Sequence, residues 1–358
     1  MPRKGFRTQT APDFVEARRK EEPIKARNLV SYHLLRTQYD WDVTGGTGAG
    51  DVLSDAAYRV AREITIQAGG RPLHHFRGHT MGKIVALFFP EEFAQTDPSD
   101  DAAGINETGR ESIIPIPYYM PWAFLQDEFA LPTRDADARI LVDWAAAAEL
   151  VDGEDGAPVI QNVTTELLEA ALFGVELPNG QTPPSEFWGA VSLRHTVKAV
   201  TQDGTITVDL KWLENGQELR LVMVEGMAKG ANNDEYLHDD LVVEKVGPLD
   251  IDGVEEFEEV DSGPLQNRNK VEYERSALET GVYVLDAAED KRTQRGDIWL
   301  VRGEEKPTLD LQVSKQANDT RVVVTTLAVT RGQRERILRG ARQARAAQAT
   351  GRARRRSA

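Results

Sequence analysis

Residues 113–144, IIPIPYYMPWAFLQDEFALPTRDADARILVDW, restrict the folds open to this chain more than any other stretch. These 32 residues hold four prolines and six aromatic rings, a mixture too apolar for a solvated loop and too rich in proline for a helix interior. Buried, extended backbone remains. Pro115, Pro117, Pro121 and Pro132 each lack an N–H and hold φ near about −65°, which confines them to strand edges, strand starts or tight corners. The segment reads as the corner of a β-sandwich, with strands near 112–119 and 138–144. Ile140, Val142 and Trp144 then share one face.

Alternating apolar residues recur along the chain. Tyr39, Trp41 and Val43 end a strand-like run over 29–43. Over 55–66, Ala56, Tyr58, Val60, Ile64 and Ile66 favour a second strand, and a helical reading of 52–62 stays open. Residues 91–112 read as an acidic surface loop. Leu167, Leu168, Ala171 and Leu172 have helical spacing within 164–172. In the second half, runs at 190–200 and 205–213 flank Asp203-Gly204, and Asn215-Gly216 leads into 219–224. Both dipeptides tolerate positive φ, so they predict an antiparallel meander of hairpins. Further strands are expected at 241–246, 269–273, 282–285, 298–301, 309–313 and 322–329. A faint duplication links 62–73 with 242–252, and Leu131-Pro132-Thr133 with Lys306-Pro307-Thr308. Two similar β-sandwiches in tandem are the economical reading of 358 residues.

The net charge of −15 conceals an uneven distribution. Residues 1–27 carry eight Lys/Arg against four Asp/Glu, and residues 331–358 carry ten Arg against one Glu. The body keeps 25 basic and 53 acidic residues, a net of −28. Such a body repels nucleic acid and anionic membrane, while flexible basic ends can reach them. Residues 1–27 read as an arm that orders only against something else. The tail places Arg331, Arg334, Arg336, Arg339, Arg342, Arg345, Arg352, Arg354, Arg355 and Arg356 among Ala, Gln and Gly. It is expected to be mobile until it meets phosphates of a genome or of lipid headgroups, where a helix can form.

Signals for catalysis are sparse. The chain has no cysteine, which removes disulfides, thiolate metal sites and a cysteine nucleophile. The glycine loop at 45–50 places Asp51 where a dinucleotide fingerprint needs its third glycine, and no Gly-Lys-Ser/Thr follows. His74, His75 and His79 form a cluster, but on a strand the first two face opposite ways and no carboxylate lies within the motif. They read as interface or surface histidines, with no metal site. Asp250, Asp252 and Gly253 read as a plain acidic turn, not a calcium loop. No catalytic, cofactor-binding or metal residue is assigned, and no cofactor is expected. The amino terminus lacks the apolar core of a secretory signal, so folding in the cytoplasm is expected.

Three stretches carry a family likeness. Leu131-Pro132-Thr133 leading into Ile140-Leu141-Val142-Asp143-Trp144, the strand at 64–73 that ends in a glycine turn, and 278–285 through 309–329 resemble the double jelly-roll major capsid proteins of tailless icosahedral double-stranded DNA viruses of the PRD1 kind. The resemblance implies an all-β fold of two tandem jelly-roll sandwiches, with short helices and flexible basic termini. The expected division is an arm at 1–27, a first jelly roll plus connector at 28–189, a second at 190–330 and the tail at 331–358. It also implies a non-enzymatic structural protein that trimerises into pseudo-hexameric capsomers of a virion shell. Its partners would be itself, penton and minor capsid proteins, and an internal membrane or viral DNA met through the basic ends. It would be located in the virion capsid, and in host cytoplasm during assembly. Tyr118, Tyr119, Trp122, Phe124, Phe129 and Trp144 exceed what one corner needs, so some are expected to face a neighbouring subunit. The alternative is a carbohydrate- or receptor-binding β-sandwich of a phage spike or tail.

Overall fold

The computed structural model describes residues 3–25, 29–44, 51–53, 55–88, 106–118, 129–133, 137–152, 157–173, 175–229, 236–272, 280–287, 299–301, 306–333 and 336–344. Outside these fall the glycine loop at 45–50, Tyr119, Pro121, Trp122, Phe124, Ile298, Arg334, Arg345 and the arginines from Arg352 to Arg356. The first half supplies β1 (Arg3–Gln9), β2 (Arg19–Pro23), β3 (Leu29–Thr44), β4 (Asp51–Val52), β5 (Ala61–Ala68) and β6 (Arg71–Arg77). It continues with β7 (Asn106–Pro117), β8 (Leu131–Pro132), β9 (Ala138–Trp144), β10 (Val151–Asp152) and β11 (Ala157–Phe173). Helices α1 (Ala56–Arg59) and α2 (Gly78–Phe88) interrupt them.

The second half adds β12 (Ala190–Val200), β13 (Gly204–Asp209), β14 (Glu218–Lys229), β15 (Tyr236–His238), β16 (Val243–Ile251) and β17 (Val254–Phe257). It ends with β18 (Val260–Asp261), β19 (Val282–Asp286), β20 (Trp299–Leu300), β21 (Thr308–Val313) and β22 (Thr320–Thr330), with helix α3 (Ser262–Glu272) after β18. Among the described residues, no helix is long and apolar enough to cross a membrane.

Each half is a sandwich of two sheets. In the first, a sheet of order β1-β11-β3-β7 faces the strands β6-β5-β9-β2. Leu35, Tyr39, Ile114, Ile116 and Leu167 from one side meet Ile64, Ile66, Phe76, Ile140, Val142 and Trp144 from the other in one core. The second half sets β13-β21-β16-β17 against β12-β22-β14-β15, around Val208, Val222, Val224, Val246, Leu309, Leu311, Val322 and Val324. The inner sheets join through a single parallel register pair, Arg194↔His75, making one ten-stranded sheet.

Periodicity explains which strands were easy to read. Along β9, Ala138, Ile140, Val142 and Trp144 are buried, while Arg139 is exposed and Leu141 and Asp143 are half-buried. In β21, Leu309, Leu311 and Val313 are buried in the same manner. Strands β14, β19 and β22 are buried almost continuously because their two faces line different cores. In β19, Tyr283 and Leu285 enter the second core, whereas Val282 and Val284 enter the first. This shared wall makes the two sandwiches one packed body.

Several expectations are corrected. The arm at 1–27 is not free: β1 pairs with β11, and β2 pairs with β9. The segment 164–172 belongs to strand β11, because pairing with both β1 and β3 outweighs its helical spacing. Residues 269–273 were expected as a strand, but α3 extends to Glu272. In 55–66 both readings hold in part, since α1 is followed directly by β5. The acidic loop at 91–112 gives way to β7 from Asn106 onward. That strand lies at the edge of its sheet, which is where Pro115 and Pro117 leave no partner without an N–H.

The meander is also corrected. Asp203-Gly204 does turn the chain, but β12 and β13 lie in different sheets, and β14 pairs with β15, β19, β20 and β22. Jelly-roll connections cross between sheets, so a tight turn need not close a hairpin. Nor do the duplicated segments match. Gly69-Gly70 turn between β5 and β6, whereas Gly247 lies inside β16 at a register shift between Val246 and Leu249. The acidic turn joins β16 to β17: Asp252 and Gly253 take φ of 57° and 77°, and the Gly253 amide donates to Asp250 Oδ1 at 2.8 Å.

Candidate functional site

The first part of the arginine-rich tail is seated on the body. Residues 336–344 form a helix, in which Ile337, Leu338 and Ala341 make an apolar stripe. The stripe packs on a small core of Leu172, Leu177, Phe187 and Trp188. Arg336, Arg339 and Arg342 remain exposed. Arg331 is held by Glu218, with Nε 2.6 Å from Oε1. The expectation of a helix formed only on binding is thereby corrected for this portion: Ala and Arg favour the helix, and docking supplies the burial that short free helices lack.

The described aromatics of the corner lie in the core of their own chain. Tyr118 is buried, and its hydroxyl lies 2.8 Å from His33 Nδ1. Phe129 is buried beside a bridge to Gly189. Trp144 is fully buried, and its indole N–H donates to the Asp13 carbonyl at 2.9 Å. For these three, a place on a neighbouring subunit is excluded by burial within the chain itself.

Sequence reasoning missed the polar seam where the halves meet. α2 begins at Gly78, where the backbone passes so close to α1 that a Cβ would stand 2.0 Å from the Tyr58 carbonyl oxygen. This contact brings Asp55, Arg59, His79, Thr80 and Lys83 together under β14. Glu225 of β14 is completely buried, yet it accepts from Thr80 Oγ1 at 2.7 Å and lies 3.0 Å from His238 Nε2 and 3.4 Å from His79 Nε2. Burial acts to raise its carboxyl, but hydrogen bonds from His238 and His79 overcome this and hold it well below the usual range. Burial likewise opposes ionisation of Asp55, and the charge of Arg59 reverses the balance. Arg59 Nε is 2.5 Å from Asp55 Oδ1, and its Nη1 reaches the Tyr236 carbonyl at 3.2 Å.

A second group joins β5, β6 and β12. His75 Nε2 lies 3.4 Å from Glu63 Oε2, and His195 Nε2 lies 3.6 Å from Glu63 Oε1. His74 points the other way, as alternation requires. It is buried and accepts the Leu193 amide N–H at 3.1 Å. The histidine motif therefore serves three environments at the boundary of the halves. Interface or surface histidines were expected; His74 and His79 are instead buried inside the chain, where the halves meet. One signal was available in the sequence. Glu225 is a lone charge inside LVMVEGMA, residues 221–228, a run otherwise suited to burial on both faces.

No family model matches the chain, and no curated protein matches it. Solved structures do. The major capsid protein of Sulfolobus turreted icosahedral virus aligns with TM-score 0.63 at 10% identity, covering 92% of this chain and 97% of that one. Major capsid protein P2 from bacteriophage PM2 aligns at 0.56 and 12% identity, covering 93% and 99%. Faustovirus major capsid protein aligns at 0.59 and 8%, covering 92% and 90%. The chain has the double jelly-roll fold of viral major capsid proteins. Both jelly rolls are included in that likeness, since nearly the whole of each chain is aligned.

Proposed function

We propose that this protein is the major capsid protein of an icosahedral virus. The observation that carries the reading is the nearly end-to-end likeness to the Sulfolobus virus and PM2 capsid proteins, both halves included. Its role is structural, not enzymatic. The chain trimerises into pseudo-hexameric capsomers, which tile the virion shell with penton and minor capsid proteins. Assembly takes place in the host cytoplasm. The spike or tail alternative draws no support from the similar structures.

The division of labour along the chain follows. Two jelly rolls, 28–189 completed by the strands β1 and β2 that pair onto it, and 190–330, form the capsomer wall, and 331–358 is the basic element. Subunits with a body of net −28 repel one another, so salt or cations promote their association. Light scattering after size exclusion should report three subunits at elevated salt. A monomer at every salt concentration would overturn the reading.

The exposed Arg336, Arg339 and Arg342, with Arg334 before them and Arg345, Arg352, Arg354, Arg355 and Arg356 after them, are the contact for viral DNA or an internal membrane. Deleting 345–358 removes Arg345 and the cluster from Arg352 to Arg356 while sparing the docked helix. The truncated protein should bind duplex DNA or anionic vesicles more weakly, with a shallower salt dependence, by roughly 0.9 in log–log slope per lost DNA phosphate contact. Unchanged binding to both would remove the tail from this role. Tyr119, Trp122 and Phe124 remain the aromatics assigned to the subunit interface.

A further inference from the structure

We propose that Glu63, His75 and His195 form a binding site for one divalent transition-metal ion of the zinc class, clamping the first jelly roll to the second. Glu63 stands on β5 and His75 on β6, both of the first sandwich, while His195 stands on β12 of the second. Their ligand atoms all lie within 4.8 Å of one another. β6 and β12 meet here through the register pair Arg194↔His75, so an ion at this point ties the halves where their backbones touch.

His195 holds its ring hydrogen on Nδ1. Its Nδ1 lies 3.0 Å from the His75 carbonyl oxygen, which can only accept, so Nδ1 carries the hydrogen. In the neutral ring, Nε2 then presents a lone pair toward Glu63 Oε1 at 3.6 Å. Two acceptors that face each other need a cation between them. A ring N–H donated to a backbone carbonyl is also the usual means of orienting a metal-bound imidazole.

The spacing agrees. Good N–H···O bonds fall at about 2.7–3.2 Å, and both imidazole-to-carboxylate distances here, 3.4 and 3.6 Å, are longer. Two ligands of a tetrahedral zinc ion with bonds of about 2.0–2.1 Å stand roughly 3.3–3.4 Å apart. Two imidazoles and one carboxylate suit zinc, nickel or cobalt better than calcium or magnesium, which prefer all-oxygen shells. The His195 side chain is only 3% exposed, whereas those of His75 and Glu63 are 37% and 25% exposed. The site is thus anchored on the inside and open to solvent for a water as fourth ligand. Arg19, whose Nη2 lies 3.8 Å from Glu63 Oε2, is 53% exposed and free to swing aside.

The other histidine–carboxylate group, His79, Glu225 and His238, serves as the internal comparison. It is buried and already has Lys83 and Arg59 among its electrostatic neighbours, which oppose a further cation.

The test is calorimetric titration of zinc chloride into chelator-treated full-length protein, repeated with cobalt(II) to read four-coordinate visible absorption. One ion per chain is expected. His75→Ala and Glu63→Gln, at partly exposed positions, should each weaken binding at least about tenfold, while His238→Asn leaves it unchanged. At zinc 100-fold above the dissociation constant, the folded-to-unfolded ratio should rise about 100-fold, seen as a higher melting temperature. Absence of saturable binding would mean that a proton alone sits between His195 and Glu63, and would overturn the proposal. So would zinc binding that survives both substitutions or disappears with His238→Asn.

Discussion

Trp144→Ala should lower the unfolding free energy by about 3–5 kcal/mol, the range for truncating a buried aromatic side chain. Trp144 is fully buried at the end of β9. Its ring lies 5.4 Å from that of Phe14, and its indole N–H bonds the Asp13 carbonyl at 2.9 Å. Its backbone amide donates to Arg18 at 3.1 Å. The ring therefore fills the core and also fastens the segment between β1 and β2. Alanine leaves a cavity and removes the partner of the Asp13 carbonyl.

Trp144→Phe separates the two contributions. It keeps an aromatic ring but removes the indole donor, so it should retain more stability than alanine, while still exposing the segment before β2 to protease. Denaturant midpoints and limited proteolysis read the two effects. An alanine variant with an unchanged midpoint would show that this ring does not support the core.

How far the sequence revealed this architecture depended on the range of the forces involved. Alternation in β9 and β21 is local and was readable, because one face of each strand is more buried than the other. Strand neighbours were not readable. β14 pairs with β22 about a hundred residues later, and no turn signal encodes that choice. Thr164–Leu172 misled because the register shift between Ala170 and Ala171 breaks the period of two, leaving 169–172 all buried. The seam was hidden for a similar reason. His195 is 120 residues from His75, and each is unremarkable until β6 and β12 are placed side by side. The likeness to double jelly rolls succeeded because it concerned the order of many strands, not any one motif.

Lowering the pH from 7 to 5 should destabilise the protein strongly, and the seam should carry much of the loss. Four histidines are held below their ordinary value of 6.5, with burial as the largest cause: His33, His74, His79 and His238. Burial and the nearby charge of Arg194 push His74 down to about 3. It therefore stays neutral in the fold at pH 5, while the unfolded chain takes up the proton. Protonation of the unfolded state lowers stability as pH falls below about 6.5, and the loss continues until the folded pKa is reached. For His74 alone, the 1.5 pH units between 6.5 and 5 amount to about 2 kcal/mol. The other three act with the same sign. Glu225 and Asp55, both held low, add a further loss only below the carboxylate range, near pH 4.5 and 3.8. Three of the four histidines touch the boundary of the halves, since His74 accepts from Leu193 of β12 while His79 and His238 flank Glu225 of β14. Acid should accordingly separate the jelly rolls before it melts their outer sheets, and hydrogen exchange should speed up first in β12 and β14. His74→Gln should flatten the slope of melting temperature against pH between 7 and 5. A profile that is level across this interval in the parent protein would refute the assignment of neutral, buried histidines.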